Sequence, residues 1–200
     1  MGRIPWGRIL AAGATIVLAG SHAFAGDQIM ATGGRTTQPI GHYEFCQQLP
    51  NECRQTSRSF ERLPLTRDTM RRITQVNNAV NGQVTPRTDM QIWGKDEVWS
   101  YPTNVGDCED YVLEKRRRLM MAGVEPANLL VTVVRQPNGD GHAVLTVRTT
   151  GGDFILDNLD GRVLPWTQTP YTYLKRQSER NSGVWLSIND GRADAVASVR

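Results

Sequence analysis

The chain has 200 residues, 39% of them hydrophobic and five of them tryptophan, which suits one folded domain with a buried core. Its formal charge of +3 leaves no basic surplus of the size that nucleic-acid binding draws on. At the N-terminus, Arg3 and Arg8 precede an apolar run from Ile9 to Ala19, followed by Ala23-Phe24-Ala25. The run is too short to span a bilayer, and small residues at that spacing are what a signal peptidase reads. The pattern predicts an export signal over residues 1–25, a mature start near Gly26 and no stable membrane insertion after cleavage. Without those residues, 21 basic and 20 acidic side chains remain, so the formal charge is +1.

Residues 26–39 are rich in Gly, Thr and polar side chains without a sustained period, and read as a flexible lead-in; residues 190–200 read as a flexible tail. Between them, residues 40–189 form one expected domain without an internal repeat or a long linker. Export permits disulfides, and Cys46 and Cys53 in EFCQQLPNEC are close enough across Pro50-Asn51 to be bridged. His42 lies beside that pair and reads as packing. Met70, Ile73, Val76 and Val80 recur at helical spacing and predict a helix over 68–80, stopped by Asn81-Gly82. Trp93, Trp99 and Tyr101 fall in a connection containing Pro and Gly, and read as core packing under a long loop.

A second helix is predicted from Asp107, as N-cap, to about Ala122, with Gly123 as its end signal and Asp110 as the far half of a capping box. The Lys115-Arg116-Arg117-Arg118 cluster near its C-terminal end reads as cations complementing the helix dipole. After Pro126 the period changes. NLLVTVVRQ and HAVLTVRT are β-branched runs joined by the hairpin signal PNGDG; DFILDN follows the TTGG turn, and GVWLSI is a later strand. Helices first and antiparallel strands afterwards predict an α+β fold.

The chemistry concentrates at GDCEDY, where Cys108 stands among Asp107, Glu109 and Asp110. At about 100° per residue Cys108 shares a face with Val112, Lys115 and Leu119. It therefore faces inward from a helix start, where unpaired backbone amides and the dipole favour a thiolate. The carboxylates oppose that form, and a hard cation on Asp107 and Glu109 would resolve the conflict. Calcium suits such oxygen ligands, although two fall short of the six or more it takes. Among the three histidines His142 opens a strand just after the hairpin turn, where a helix N-terminus can meet it. The next strand ends on Asp157, placed to orient the ring, with Asn158 as a fallback. A buried thiol, a turn histidine and a strand-end aspartate are the bland reading of the same three residues.

The stretch DEVWSYPTNVGDCEDYVLEKRRRLMMAGV, with GHAVLTV and FILDNL, resembles the bacterial transglutaminase-like cysteine proteinases, among them the LapG-type periplasmic proteases that cleave surface adhesins. The resemblance runs from about Asp68 to Ile188. It implies a papain-like or transglutaminase-like core with the nucleophile at a helix N-terminus packed on the antiparallel sheet, and a triad of Cys108, His142 and Asp157. It also implies calcium held through Asp107 and Glu109, a periplasmic location and a protein substrate at the cell surface or in the periplasm. The cysteine pair of EFCQQLPNEC marks a separate subgroup. The same triad serves hydrolysis and acyl transfer to an amine, as in a transglutaminase, and a calcium-dependent periplasmic binding protein that turns nothing over is a further alternative.

Overall fold

The computed structural model describes residues 1–2, 28–54 and 57–189; the export-signal pattern, which rests on residues 3–25, and the expected tail lie outside them. The strands expected after Pro126 form the middle of a seven-stranded antiparallel sheet. β4 (Leu129–Arg135) and β5 (Gly141–Thr149) make the hairpin around PNGDG, and β6 (Gly152–Leu156) continues past it. In spatial order the sheet runs β1 (Thr32–Thr36), β9 (Asn181–Ile188), β8 (Thr172–Ser178), β4, β5, β6 and β7 (Leu164–Pro165), and β2 (Thr85–Pro86) pairs in parallel with β3 (Val105–Gly106) apart from it.

Two of the longer strands depart from the sequence reading, as do the two-residue strands β2, β3 and β7. Residues 32–36, expected in a flexible lead-in, form the edge strand β1 on β9. An edge strand with mostly exposed side chains is held by backbone pairing and carries no hydrophobic alternation. Gly33 leaves room for the Ser187 hydroxyl, since a Cβ would lie 2.4 Å from Ser187 Oγ and force that side chain to turn. β8 escapes detection because Arg176 and Gln177 occupy buried positions where an apolar alternation would be sought. Gln177 fits by accepting a hydrogen bond from the Val131 amide and donating one to the Ser182 carbonyl, next to a register shift.

Among the described residues four helices, α1 (Ile40–Gln48), α2 (Arg67–Gln83), α3 (Asp89–Trp93) and α4 (Cys108–Met121), precede the central strands. α4 packs across β5 and β4, and α2 packs on α4. Alternation along β5 splits its side chains: Ala143, Leu145 and Val147 join Val112, Leu119 and Ile73 in the core under the helices. Val144 joins Tyr171, Tyr173 and Trp166 on the opposite face. α2 runs past Asn81-Gly82 to Gln83, because Asn81 turns inward and donates to the Asp157 carbonyl at 2.7 Å. Cys46 and Cys53 are disulfide-bonded across α1 and the turn Pro50–Cys53. Trp99 is buried as expected, whereas Trp93 is exposed. Among the described residues no helix is long and apolar enough to cross a membrane.

Only half of the basic cluster of α4 is a solvated helix end: Arg117 is exposed and Arg118, in the last turn, is half-buried. Lys115 is fully buried, and Arg116 is buried with its guanidinium on Glu52 at 3.1 Å. Arg117 and Arg118 both bond Glu114. The Lys115 ammonium has no hydrogen-bond partner among the described residues and lies 5.7 Å from the centre of the Tyr111 ring. Burial lowers its pKa from 10.5 to about 7, against a smaller opposing pull from the Asp157 charge. The unfolded chain therefore holds the extra proton between these two values, and stability rises with pH across that window. Lys115→Met is expected to stabilise the fold by about 2 kcal/mol or more at pH 6, with a gain that shrinks toward pH 10.5, as read from urea unfolding at each pH.

Candidate active site

The face of α4 that carries Val112, Lys115 and Leu119 is buried against the sheet, and this sets its first residue, Cys108, at the start of β5. The Ala143 backbone amide, next to His142 in sequence, acts on the Cys108 thiol and pulls its pKa downward. Cys108 and His142 line one cleft of about 290 Å³, together with Arg87, Gln91, Gln136 and Asn158.

His142 is buried, and its Nε2 is 2.8 Å from Asp157 Oδ1. The pairing Leu145↔Leu156 explains the meeting. Continued by one residue, it brings Asp157 beside Val144, on the sheet face to which His142, two positions away, also belongs. Asp157 Oδ1 also accepts from the Leu159 amide at 3.0 Å, and its Oδ2 accepts from the Tyr171 hydroxyl. Burial raises the Asp157 pKa, but the His142 and Tyr171 bonds outweigh it and hold the carboxyl below its ordinary value. Asn158 lines the cleft with a buried Oδ1 that has no partner among the described residues, and it is Asp157 that bonds His142.

The acids around Cys108 divide. Glu109 Oε2 accepts from the Cys108 thiol at 2.8 Å. Burial, and then the Glu109 charge, push the thiol pKa well up despite the Ala143 amide. Asp107 is the N-cap residue of α4 by position but makes no capping hydrogen bond, and Asp110 does not complete the expected capping box. Asp110 Oδ1 instead accepts from the Ser100 amide at 2.8 Å. Asp107 and Asp110 meet Asp89, from the first turn of α3, with carboxylate oxygens all within 4.8 Å of one another. Gly106 is required beside them, since a Cβ would lie 2.7 Å from the Asp110 Cβ.

This cluster has the chemistry of a hard-cation site. Asp89 Oδ1 and Asp107 Oδ1 are buried without a hydrogen-bond partner among the described residues. Burial, reinforced by neighbouring charges, raises Asp89 to about 6 and Asp107 and Asp110 to about 7, with the Val98 and Ser100 amides pulling the other way. Asp107 thus lies where the sequence reading put a metal ligand. Glu109 is not among the three, and its carboxylate is engaged with the thiol. Asp89 and Tyr171 were not singled out from sequence. The capping box Thr88-Asp89-Met90-Gln91 is a local signal for Asp89, because it fixes a helix start at that carboxylate; Tyr171 has no comparable signal.

A family model described as bacterial transglutaminase-like cysteine proteinase matches residues 32–193. Among solved structures, calcium-bound LapG of Legionella pneumophila is similar at 23% identity with a TM-score of 0.52, over 80% of this chain and 91% of that one. EGTA-treated LapG of the same organism matches at 25% identity and a TM-score of 0.49, over 62% of this chain and 75% of that one. No curated protein matches.

With chelator present, the raised carboxyl values dictate the sign of a stability profile. The folded chain holds more protons than the unfolded one between about pH 4 and pH 7, so stability falls as pH rises through that window. Asp110→Asn is expected to flatten this slope by on the order of 2 kcal/mol, measured by denaturant unfolding in excess chelator.

Proposed function

The chain belongs to the bacterial transglutaminase-like cysteine proteinases, and on that premise we propose that it is an exported, periplasmic peptidase cleaving a protein substrate through Cys108, His142 and Asp157. The single observation that carries the triad reading is the His142–Asp157 bond beside a cleft that Cys108 also lines. Because Nε2 is held by Asp157, Nδ1 is the ring nitrogen left to take the thiol proton. The thiolate attacks the scissile carbonyl, and backbone amides at the start of α4, beginning with that of Cys108, receive the developing oxyanion. His142, now an imidazolium stabilised by Asp157, returns its proton to the leaving amine, and a thioacyl enzyme remains. Water, with its proton accepted by His142, then releases the acid and restores the thiol.

Calcium is the cation proposed for Asp89, Asp107 and Asp110, where its charge would offset the carboxylates that oppose the thiolate. Glu109 would be free to leave the sulfur once the thiol proton passes to His142. Export is supported by residues 3–25 and by the disulfide between Cys46 and Cys53, a bond that persists in oxidising compartments.

Acylation by p-nitrophenyl acetate in calcium tests the nucleophile without a known protein substrate. Mass spectrometry is expected to find the acetyl group on Cys108, about 100-fold slower to form in His142→Ala and absent from Cys108→Ala, with all three proteins folded. Equal rates in wild type and His142→Ala would contradict the triad.

A further inference from the structure

Tyr171 lies immediately before β8, on the sheet face it shares with Tyr173 and Val134. β8 pairs with the side of β4 away from β5, so the chain returns past the sheet end where His142 and Asp157 meet. The Tyr171 ring is buried and packs on the His142 ring, with centroids 5.5 Å apart and planes inclined by 58°. Its hydroxyl bonds the oxygen of Asp157 that His142 leaves free.

From this geometry we infer that Tyr171 is a positioning residue for the His142–Asp157 pair, holding the carboxylate by its second oxygen and the imidazole by its face. The inference rests on the triad reading. A carboxylate with one engaged oxygen can turn about its terminal torsion; with Oδ1 on His142 and the Leu159 amide, and Oδ2 on Tyr171, that freedom is gone. The ring removes a second freedom, because an imidazole packed against it cannot swing Nδ1 away from the cleft without losing that contact. Burial, and the Asp157 charge next to it, push the phenol pKa up, so the hydroxyl remains a donor through the working pH range. An apolar group in its place would leave Asp157 Oδ2 without its donor beside a cavity of about 220 Å³ that Asp157, Tyr171 and Leu159 line. Water entering that cavity would then compete for the carboxylate.

The test uses folded protein in calcium, iodoacetamide as the probe of Cys108 at pH 7.5, and the downfield proton resonance of the His142 Nε2–H. Tyr171→Phe keeps the ring and removes the hydroxyl. It is expected to slow alkylation about tenfold and to broaden or abolish the resonance, with the melting temperature changed by only a few degrees. If Tyr171→Phe does not fold, 3-fluorotyrosine at position 171 serves instead. Its stronger donation to Asp157 is expected to move the His142 resonance upfield, because the carboxylate then accepts less from Nε2. Wild-type alkylation with an unmoved resonance in either protein would overturn the role of Tyr171. His142→Ala and Asp157→Ala run alongside: if both alkylate like wild type, the triad reading fails and takes Tyr171 with it. If both are slow while Tyr171→Phe matches wild type, only the positioning role is overturned.

Discussion

The first turn of α4 is held against the start of β5, and the site depends on that junction. Val112 and Leu119 pack into the core with Val131, Leu145 and Val147, which fixes the direction in which the helix points its N-terminus. Cys108 thereby reaches the cleft that His142 lines. The β5–β6 register does the complementary work, carrying Asp157 to the ring nitrogen on the far side of His142. Rigid elements that meet at one sheet end hold three side chains from distant parts of the chain in a constant relation.

The same junction gathers charge that a thiolate does not tolerate by itself. Asp107 before α4, Asp110 in its first turn and Asp89 on α3 are brought together, Asp89 and Asp110 buried and Asp107 half-buried, and Glu109 bonds the sulfur. Without a cation, burial and mutual repulsion favour protonated carboxyls and a protonated thiol. In the proposed reading a divalent cation would reverse both preferences at once, and the acids around Cys108 would link its ionisation to calcium. Lys115, buried about two turns along α4, lies near enough to Asp157 to feel its charge and is itself charged only below its lowered pKa of about 7.

The central hairpin was legible because β-branched runs and a Pro-Asn-Gly turn leave few alternatives for their backbone, and the helix from Cys108 was legible because its apolar face and Gly123 agree. Cys108, His142 and Asp157 could be singled out because each stands at the end of an element, where side chains from different parts of a sheet can converge. β1 and β8 were not legible: one is held by backbone pairing at an edge, and the other buries Arg176 and Gln177. The basic cluster was half legible: Arg117 and Arg118 are solvated to differing degrees, whereas Arg116 turns inward to Glu52 and Lys115 is buried, which four successive cations do not announce. Asp89 and Tyr171 join the site through tertiary approach, which no local period encodes.

The most direct test of the account is the rate of Cys108 alkylation by iodoacetamide as a function of pH, for folded wild type and His142→Ala, in calcium and in chelator. The account predicts that wild type in calcium is reactive with an apparent pKa well below about 8.5. It also predicts that either removal of His142 or chelation of calcium abolishes that low-pH reactivity. A thiol that stays inert in calcium, or whose profile ignores both His142 and the cation, would contradict it.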